Sequence, residues 1–255
     1  MSDAPSRTIA TGDLWDVWRG ETSARVALGR AGSALPTAAL LAFELDHARA
    51  RDAVHQALDV DALDTDIKAL GLETLRVKSA ARDRATYLLR PDLGRRLDDS
   101  SRNALEGLAH APCDVAFVVA DGLSALGVQR HAAPLLAAAV PLLAGMSTGS
   151  IVIAEQGRVA LGDEIGSLLK ARVVVVAIGE RPGLTSPDSL GLYLTFAPRV
   201  GRHDAERNCI SNVRPRGLAP AAAAARLAWL IRASLRLALS GVALKDDSAM
   251  IDARK

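Results

Sequence analysis

The sequence predicts an α/β protein: a mostly parallel, Rossmann-like or flavodoxin-like sheet with helices on both faces, preceded by an N-terminal helical extension. Strand-like and helix-like segments alternate from residue 114 onward, a pattern typical of parallel strands joined by helices. The segment Val173–Ile178 is apolar and β-branched without polar alternation, which indicates a strand buried on both faces. A chain of 255 residues has room for one such domain and an extension, whereas a second full core would be a tight fit.

Residues 1–30 are predicted to form an N-terminal arm. Trp15 and Trp18 are three residues apart, so both rings would lie on one side of a short helix. The segment is charged throughout and lacks the apolar run of a signal peptide or membrane anchor. Two interpretations remain open: a tail with two half-buried rings, and an arm that docks on another subunit, since tryptophan is favoured at interfaces.

Residues 31–110 are predicted to be a helical region. Residues 35–58 follow a helical period, and a shorter helix is expected over 59–70. One stripe of the first helix resembles a metal-binding set, but its spacing matches no known carboxylate–histidine site, so a solvated or subunit-facing side is favoured. The stripe consists of Glu44, His47, Arg51 and His55.

Residues 111–255 are predicted to form the α/β domain. The expected strands are Val115–Ala120, Ile151–Ala154, Val173–Ile178 and Leu192–Phe196, and the expected helices are Ser124–Leu143, Asp163–Lys170 and a long one beginning after Pro220. Ligands of such folds bind outside the carboxyl ends of the strands. The informative loops are therefore 121–124, 179–183 and a predicted turn around Cys209.

Composition excludes several classes of function. The formal charge is +2, with 31 basic and 29 acidic residues mixed along the chain, so neither nucleic acid nor a membrane is an expected partner. The two cysteines, Cys113 and Cys209, lack metal-ligand spacing and cannot form a disulfide framework, which favours a reducing cytoplasm. No metal site is predicted.

A short motif indicates a function only when the expected helices and strands surround it. The sequence GMSTG at 145–149 matches the nucleophile elbow of hydrolases, but a helix precedes Ser147 and a strand follows, which is the reverse of the required order. A hydrolase using Ser147 is therefore a remote alternative. Dinucleotide-binding, P-loop and zinc-protease motifs do not occur in the sequence.

Glu180 and Cys209 are more specific candidates. Glu180 follows a predicted buried strand directly and lies in a loop with Arg181 and two glycines, which could be a ligand loop or a tight turn whose charges face water. Cys209 could be a small packing residue, a nucleophile or a contact to a bulky ligand. The local sequence does not decide between these alternatives.

Five blocks of sequence, in order and spacing, resemble the small subunit of ethanolamine ammonia-lyase. The resemblance runs from about Asp13 to Gly241. The blocks are RPDLGRRL (90–97), VADGLSA (119–125), DEIG (163–166), GERPGL (179–184) and CISN (209–212). Five separate matches are far more specific than any single short motif.

The resemblance implies a hetero-oligomeric ammonia-lyase that uses adenosylcobalamin to convert ethanolamine to acetaldehyde and ammonia by a radical mechanism. The large subunit would carry the substrate pocket, and this chain would close over the cofactor. By resemblance, Val159, Glu180 and Cys209 contact the cobalamin, and no catalytic residue is expected in this chain. Whether the complex is free in the cytoplasm or enclosed in a bacterial microcompartment stays open.

Two further expectations accompany the resemblance. The chain lacks the Asp-x-His-x-x-Gly motif with which other cobalamin enzymes replace the cofactor's own base, so that base is expected to stay on cobalt. The main alternative function is a stand-alone binding module for a small, cobalamin-like molecule, without catalysis.

Overall fold

A computed structural model describes residues 14–22, 24–108 and 111–248 of the chain. The helices in these ranges are α1 (Leu14–Glu21), α2 (Thr37–His55), α3 (Val60–Ala69), α4 (Arg84–Leu89), α5 (Asp99–Gly107), α6 (Ala125–Ala139), α7 (Leu161–Leu168) and α8 (Pro220–Leu237). The strands are β1 (Thr74–Lys78), β2 (Cys113–Ala120), β3 (Ile151–Glu155), β4 (Ala171–Gly179), β5 (Leu190–Phe196) and β6 (Arg207–Val213). Short 3-10 turns cover Leu93–Arg95, Val140–Leu143, Asp204–Glu206 and Gly241–Ala243.

The six strands form one sheet in the order β1-β3-β2-β4-β5-β6. The first four run parallel, β5 is antiparallel to β4, and β6 is antiparallel to β5. The predicted α/β class with a mostly parallel sheet is therefore confirmed. Because two reversals restore the original direction, β6 ends at the same edge as the parallel strands. We call this the carboxyl edge; it is formed by Lys78, Glu155, Ala120, Gly179 and Val213.

Helices cover both faces of the sheet, as predicted. On the first face α3, α6 and α8 pack through fully buried residues such as Ile67, Leu135 and Leu227. On the second face α5 and α7 pack through Leu105 and Ile165. The sheet is thus the middle of three layers.

Two segments differ from the sequence predictions. The predicted helical region contributes the edge strand β1, which pairs with β3 along its whole length. Its sequence, TLRVK, places Arg76 and Lys78 among the apolar residues, so β1 lacks the continuous apolar run that identified the equally short β3. Cys209 was predicted to lie in a turn, and this was wrong. It lies inside β6, opposite Tyr193 of β5.

Two compact units divide the chain near residue 49. In the first, Trp15 and Trp18 lie on the short helix α1, as predicted, with 53% and 64% of their surfaces exposed. In the same unit Arg25 donates to Asp46 at 2.7 Å, and its guanidinium lies 5.5 Å from the Phe43 ring centroid.

One stretch among the described residues, Ala125–Leu143, is long and apolar enough by composition to cross a membrane. It consists of α6 and the 3-10 turn that follows. Val128, Ala132 and Leu136 of this stretch are fully buried in the core of the first face. The helix predicted over Ser124–Leu143 is therefore confirmed for Ala125–Ala139, and it packs in the core.

Candidate functional site

Glu180 links the carboxyl end of β4 to the end of β6. It directly follows Gly179, and its backbone N–H donates to the carbonyl of Ser189 at 3.0 Å. Both of its carboxylate oxygens accept from the backbone N–H of Asn212, at 3.2 Å each. The side chain also crosses Gly191 on β5, where a Cβ added to the glycine would lie 3.1 Å from Cγ and Oε1 of Glu180. Glu180 is thus placed on the antiparallel part of the sheet.

Cys209 and Tyr193 lie on the same antiparallel part of the sheet. They are opposite each other on β6 and β5, and Cys209 is exposed. Its neighbour Ile210 points into the first-face core, so alternation places Cys209 on the second face. Tyr193 is half-buried against the second-face core, and burial, together with Cys209 and Glu180, raises the pKa of its hydroxyl to about 12. The hydroxyl therefore stays protonated at neutral pH.

Val159 lies on the second face of the sheet as well, on the side of the parallel strands. It lies between β3 and α7, half-buried against the second-face core. It lines a cleft of about 290 Å³ together with Arg207 of β6. Arg207 is two residues before Cys209, so both side chains point to the same side of β6. The structure therefore brings Glu180 and Cys209 together around Tyr193, whereas Val159 lies on the same face beside a cleft that Arg207, and not Glu180 or Cys209, lines with it.

Asp121 holds the loop that carries Val159. Its buried carboxylate accepts hydrogen bonds from the backbone N–H groups of Gly122, Gln156 and Gly157, at 2.9, 3.0 and 3.0 Å. Burial raises the pKa of Asp121 to about 6, although these bonds and Arg84 oppose the shift. The sequence had indicated only that Asp121 begins an informative loop.

Tyr87 supports the same loop from α4. Its hydroxyl donates to the carbonyl of Gly157 at 3.1 Å. The guanidinium carbons of Arg84 and Arg158 lie 4.9 and 4.2 Å from its ring centroid, within the range of cation–π contacts. The backbone N–H of Arg158 donates to the carbonyl of Gly94 at 2.7 Å. The Val159 loop is thus fixed at several consecutive peptides.

A buried ion pair joins α7 to β6. Arg207 donates through Nη1 and Nη2 to the two carboxylate oxygens of Asp163, at 2.6 and 2.7 Å. The two side chains are 2% and 1% exposed. Nη1 also donates to the hydroxyl of Thr195 at 2.9 Å. The pair ties the helix that follows Val159 to the strand that carries Cys209; local sequence could not reveal it, because its members are 44 residues apart.

Two glycines allow the loops at the carboxyl edge to cross. A Cβ on Gly179 would overlap the carbonyl oxygens of Ser124 and Asp121. A Cβ on Gly122, which has a positive φ of 58°, would overlap the carbonyl oxygen of Gly179. The absence of both side chains lets the loop after β2 contact the end of β4, directly before Glu180.

The remaining candidates lie elsewhere. Ser147 is at the opposite edge of the sheet, near the start of β2, where its hydroxyl donates to the carboxylate of Asp114 at 3.1 Å. Its partner is therefore an acid and not the histidine base that a hydrolase serine requires. In the described parts of the chain, His, Cys, Asp and Glu side chains form no group of three or more that could hold a metal ion.

Comparisons with known proteins agree with one another. The family model described as "Ethanolamine ammonia-lyase light chain (EutC)" matches residues 12–245. A protein of Bradyrhizobium diazoefficiens named "Ethanolamine ammonia-lyase small subunit" is 56% identical over 252 residues, covering 98% of this chain and 95% of the relative. A protein of the same name from Azotobacter vinelandii is 57% identical over 254 residues, covering 97% and 93%.

Proposed function

The chain belongs to the ethanolamine ammonia-lyase light-chain family, and from this membership we propose that it forms one side of an adenosylcobalamin site in that lyase. The name of its relatives as small subunits implies a large-subunit partner. In this proposal the partner holds the substrate, and the present chain contacts the cofactor through Val159, Glu180 and Cys209. A higher hetero-oligomer located in the cytoplasm, free or within a microcompartment, belongs to the same proposal.

The observation that carries the proposal is the surface around Glu180. The side chain of Glu180 lies over Gly191 of β5, and Tyr193 and the exposed Cys209 supply apolar surface next to it. A corrin is a broad, mostly apolar ring with amide side arms. The chemistry of these residues fits such a ring, because flat apolar contact and a few placed acceptors are what a large cofactor needs.

Glu180 has the most specific role in this proposal. Each of its carboxylate oxygens accepts one bond from Asn212 and retains a free lone pair. A corrin amide N–H could therefore be bound without breaking the contact that holds Glu180 in place. Val159 would contact the ring from the α7 side, where the Asp121 hydrogen bonds fix its loop.

In this proposal the role of the chain in the reaction is to position the cofactor. When bound, the cofactor supplies the organic radical through homolysis of its cobalt–carbon bond. The residues of this chain orient the cofactor and keep water away from one of its sides. No residue of this chain is assigned to proton transfer in the reaction.

The test measures acetaldehyde release from ethanolamine with adenosylcobalamin, using this chain alone, the large subunit alone and the two combined. We expect turnover only in the mixture. In the assembled complex, Glu180→Ala should weaken cofactor binding about tenfold, as expected for a lost hydrogen bond to a charged group. Glu73→Ala, an exposed glutamate at the opposite edge of the sheet, is the matched control.

Turnover by this chain alone, or unchanged cofactor affinity in Glu180→Ala, would contradict the proposal. Tight cobalamin binding by the isolated chain without turnover in any mixture would instead support a stand-alone binding module. Thermal unfolding of each variant checks that loss of the Glu180–Asn212 contact has not disturbed the sheet.

A further inference from the structure

Four arginines line the cleft beside Val159. They come from three separate parts of the chain: the segment after α4, the loop after β3, and the segment that leads into β6. These residues are Arg95, Arg158, Arg202 and Arg207. Among the described residues that line the cleft, the only acid is Asp204, whose side chain is fully exposed and lies 3.5 Å from Nε of Arg207.

The four cations are not equally neutralised. Arg202 pairs with Glu206, and Arg207 pairs with Asp163. Arg158 lies on the ring of Tyr87 and has no carboxylate partner within the described residues. Arg95 is exposed and contacts no acceptor in the same ranges of the chain. Even after Asp204 is counted, the cleft keeps an excess of positive charge.

One buried N–H group of this cleft lacks an acceptor. Nε of Arg158 is buried and has no hydrogen-bond partner among the described residues, whereas Nε of Arg207 has the long contact to Asp204. An unsatisfied buried donor is uncommon in a native protein and requires an explanation. An acceptor-rich group bound in the cleft would satisfy such a donor.

We propose that this cleft binds a phosphodiester, and that its ligand is the phosphodiester in the nucleotide tail of the cobalamin. Guanidinium groups match phosphate oxygens in charge and in geometry. Val159 lines the cleft and also belongs to the proposed corrin site, so one ligand could occupy both. The volume of about 290 Å³ accommodates a phosphate group with its neighbouring atoms. This inference rests on the proposed cofactor site.

Arg95 is the residue to test, because it is exposed and its loss should not disturb folding. The assembled complex is prepared with wild-type chain, with Arg95→Gln and with Arg199→Gln, a control that replaces an exposed arginine outside the cleft. Equilibrium dialysis measures binding of adenosylcobalamin and of adenosylcobinamide, which lacks the phosphodiester and the nucleotide.

Arg95→Gln should weaken adenosylcobalamin binding about tenfold and leave adenosylcobinamide binding unchanged, because only the first ligand carries the phosphodiester. The control should change neither. An equal effect of Arg95→Gln on both ligands, or on neither, would overturn the inference.

A second arm separates the cofactor's phosphodiester from free phosphate. Inorganic phosphate is titrated against each ligand. The inference is supported if phosphate competes with adenosylcobalamin but not with adenosylcobinamide, and if Arg95→Gln weakens that competition. If Arg95→Gln weakens phosphate binding but leaves the affinity for adenosylcobalamin relative to adenosylcobinamide unchanged, free phosphate is the ligand and the inference fails. Glu180→Ala should weaken both cobalamin ligands equally; failure of that result alone would count against the corrin site and not against this cleft.

Discussion

Replacing Asp163 with alanine should destabilise the chain strongly. The substitution removes the carboxylate that faces both terminal nitrogens of Arg207, whose side chain is 2% exposed. The hydroxyl of Thr195 and the carbonyl of Arg202 remain as uncharged acceptors, and the one remaining carboxylate, Asp204, is fully exposed and lies 3.5 Å from Nε. Breaking one partner of a buried pair costs about 3–5 kcal/mol. In a chain of this length, about 1 kcal/mol lowers the unfolding midpoint by roughly 2–4 °C, so we expect a loss of roughly 6–20 °C.

Thermal unfolding of the full chain, followed by circular dichroism, measures this loss. Arg90→Ala is the matched control: Arg90 also contacts Asp92 through two nitrogens, at 2.9 and 2.8 Å, but both side chains are more than half exposed. Its midpoint should change by less than about 4 °C, because an exposed pair contributes at most about 1 kcal/mol.

The double variant Asp163→Leu/Arg207→Met separates charge from packing. It replaces both charged side chains with apolar ones, and it should recover most of the lost stability. A midpoint for Asp163→Ala within about 2 °C of wild type would refute the reasoning, since it would mean that the buried Arg207 does not need the Asp163 carboxylate.

Three further results are expected. Burial raises the pKa of Asp121 from 3.8 to about 6, so ionisation of this carboxyl disfavours the folded state. In urea unfolding, the stability of wild type relative to Asp121→Asn should therefore fall as the pH rises from about 4 to about 6, and a rise over that range would contradict this. Gly191→Ala should raise the cofactor concentration needed for half-maximal activity several-fold, because the new Cβ displaces Glu180. Cys209→Ala should keep turnover measurable, whereas loss of all activity with intact cofactor binding would indicate a chemical role for the thiol.

The sequence predicted the central strands and the position of Glu180 for a physical reason. Val173–Ile178 is apolar on both faces, as a central parallel strand must be, and it lies within the observed β4. A charged residue directly after such a strand can only emerge at its carboxyl end. The location of Glu180 therefore followed from the chain's local pattern alone.

Cys209 shows where local pattern fails. The sequence around it is polar, so β6 has no apolar run and resembles a turn. It is a strand because it is the last strand of the sheet and its second face near Cys209 is exposed, so little apolar surface needs to be buried there. Tyr193 was missed for a related reason, since its importance comes from the strand opposite it.

Asp121 shows a different limit. Two of the three N–H groups that it binds belong to Gln156 and Gly157, on a loop more than thirty positions further along the chain. Such a contact exists only after β2 and β3 have paired in their register. A single sequence holds no local signal for it.

The crossing at Gly122 and Gly179 restricts how this protein can vary. Any side chain at Gly179 would meet the backbone itself, which cannot rotate out of the way as a neighbouring side chain could. A second substitution elsewhere therefore cannot make room for a side chain at Gly179. In a library in which every position is randomised, Gly179 should tolerate fewer replacements than Glu180 beside it, because selection at the first acts on whether the chain folds and at the second on what it binds.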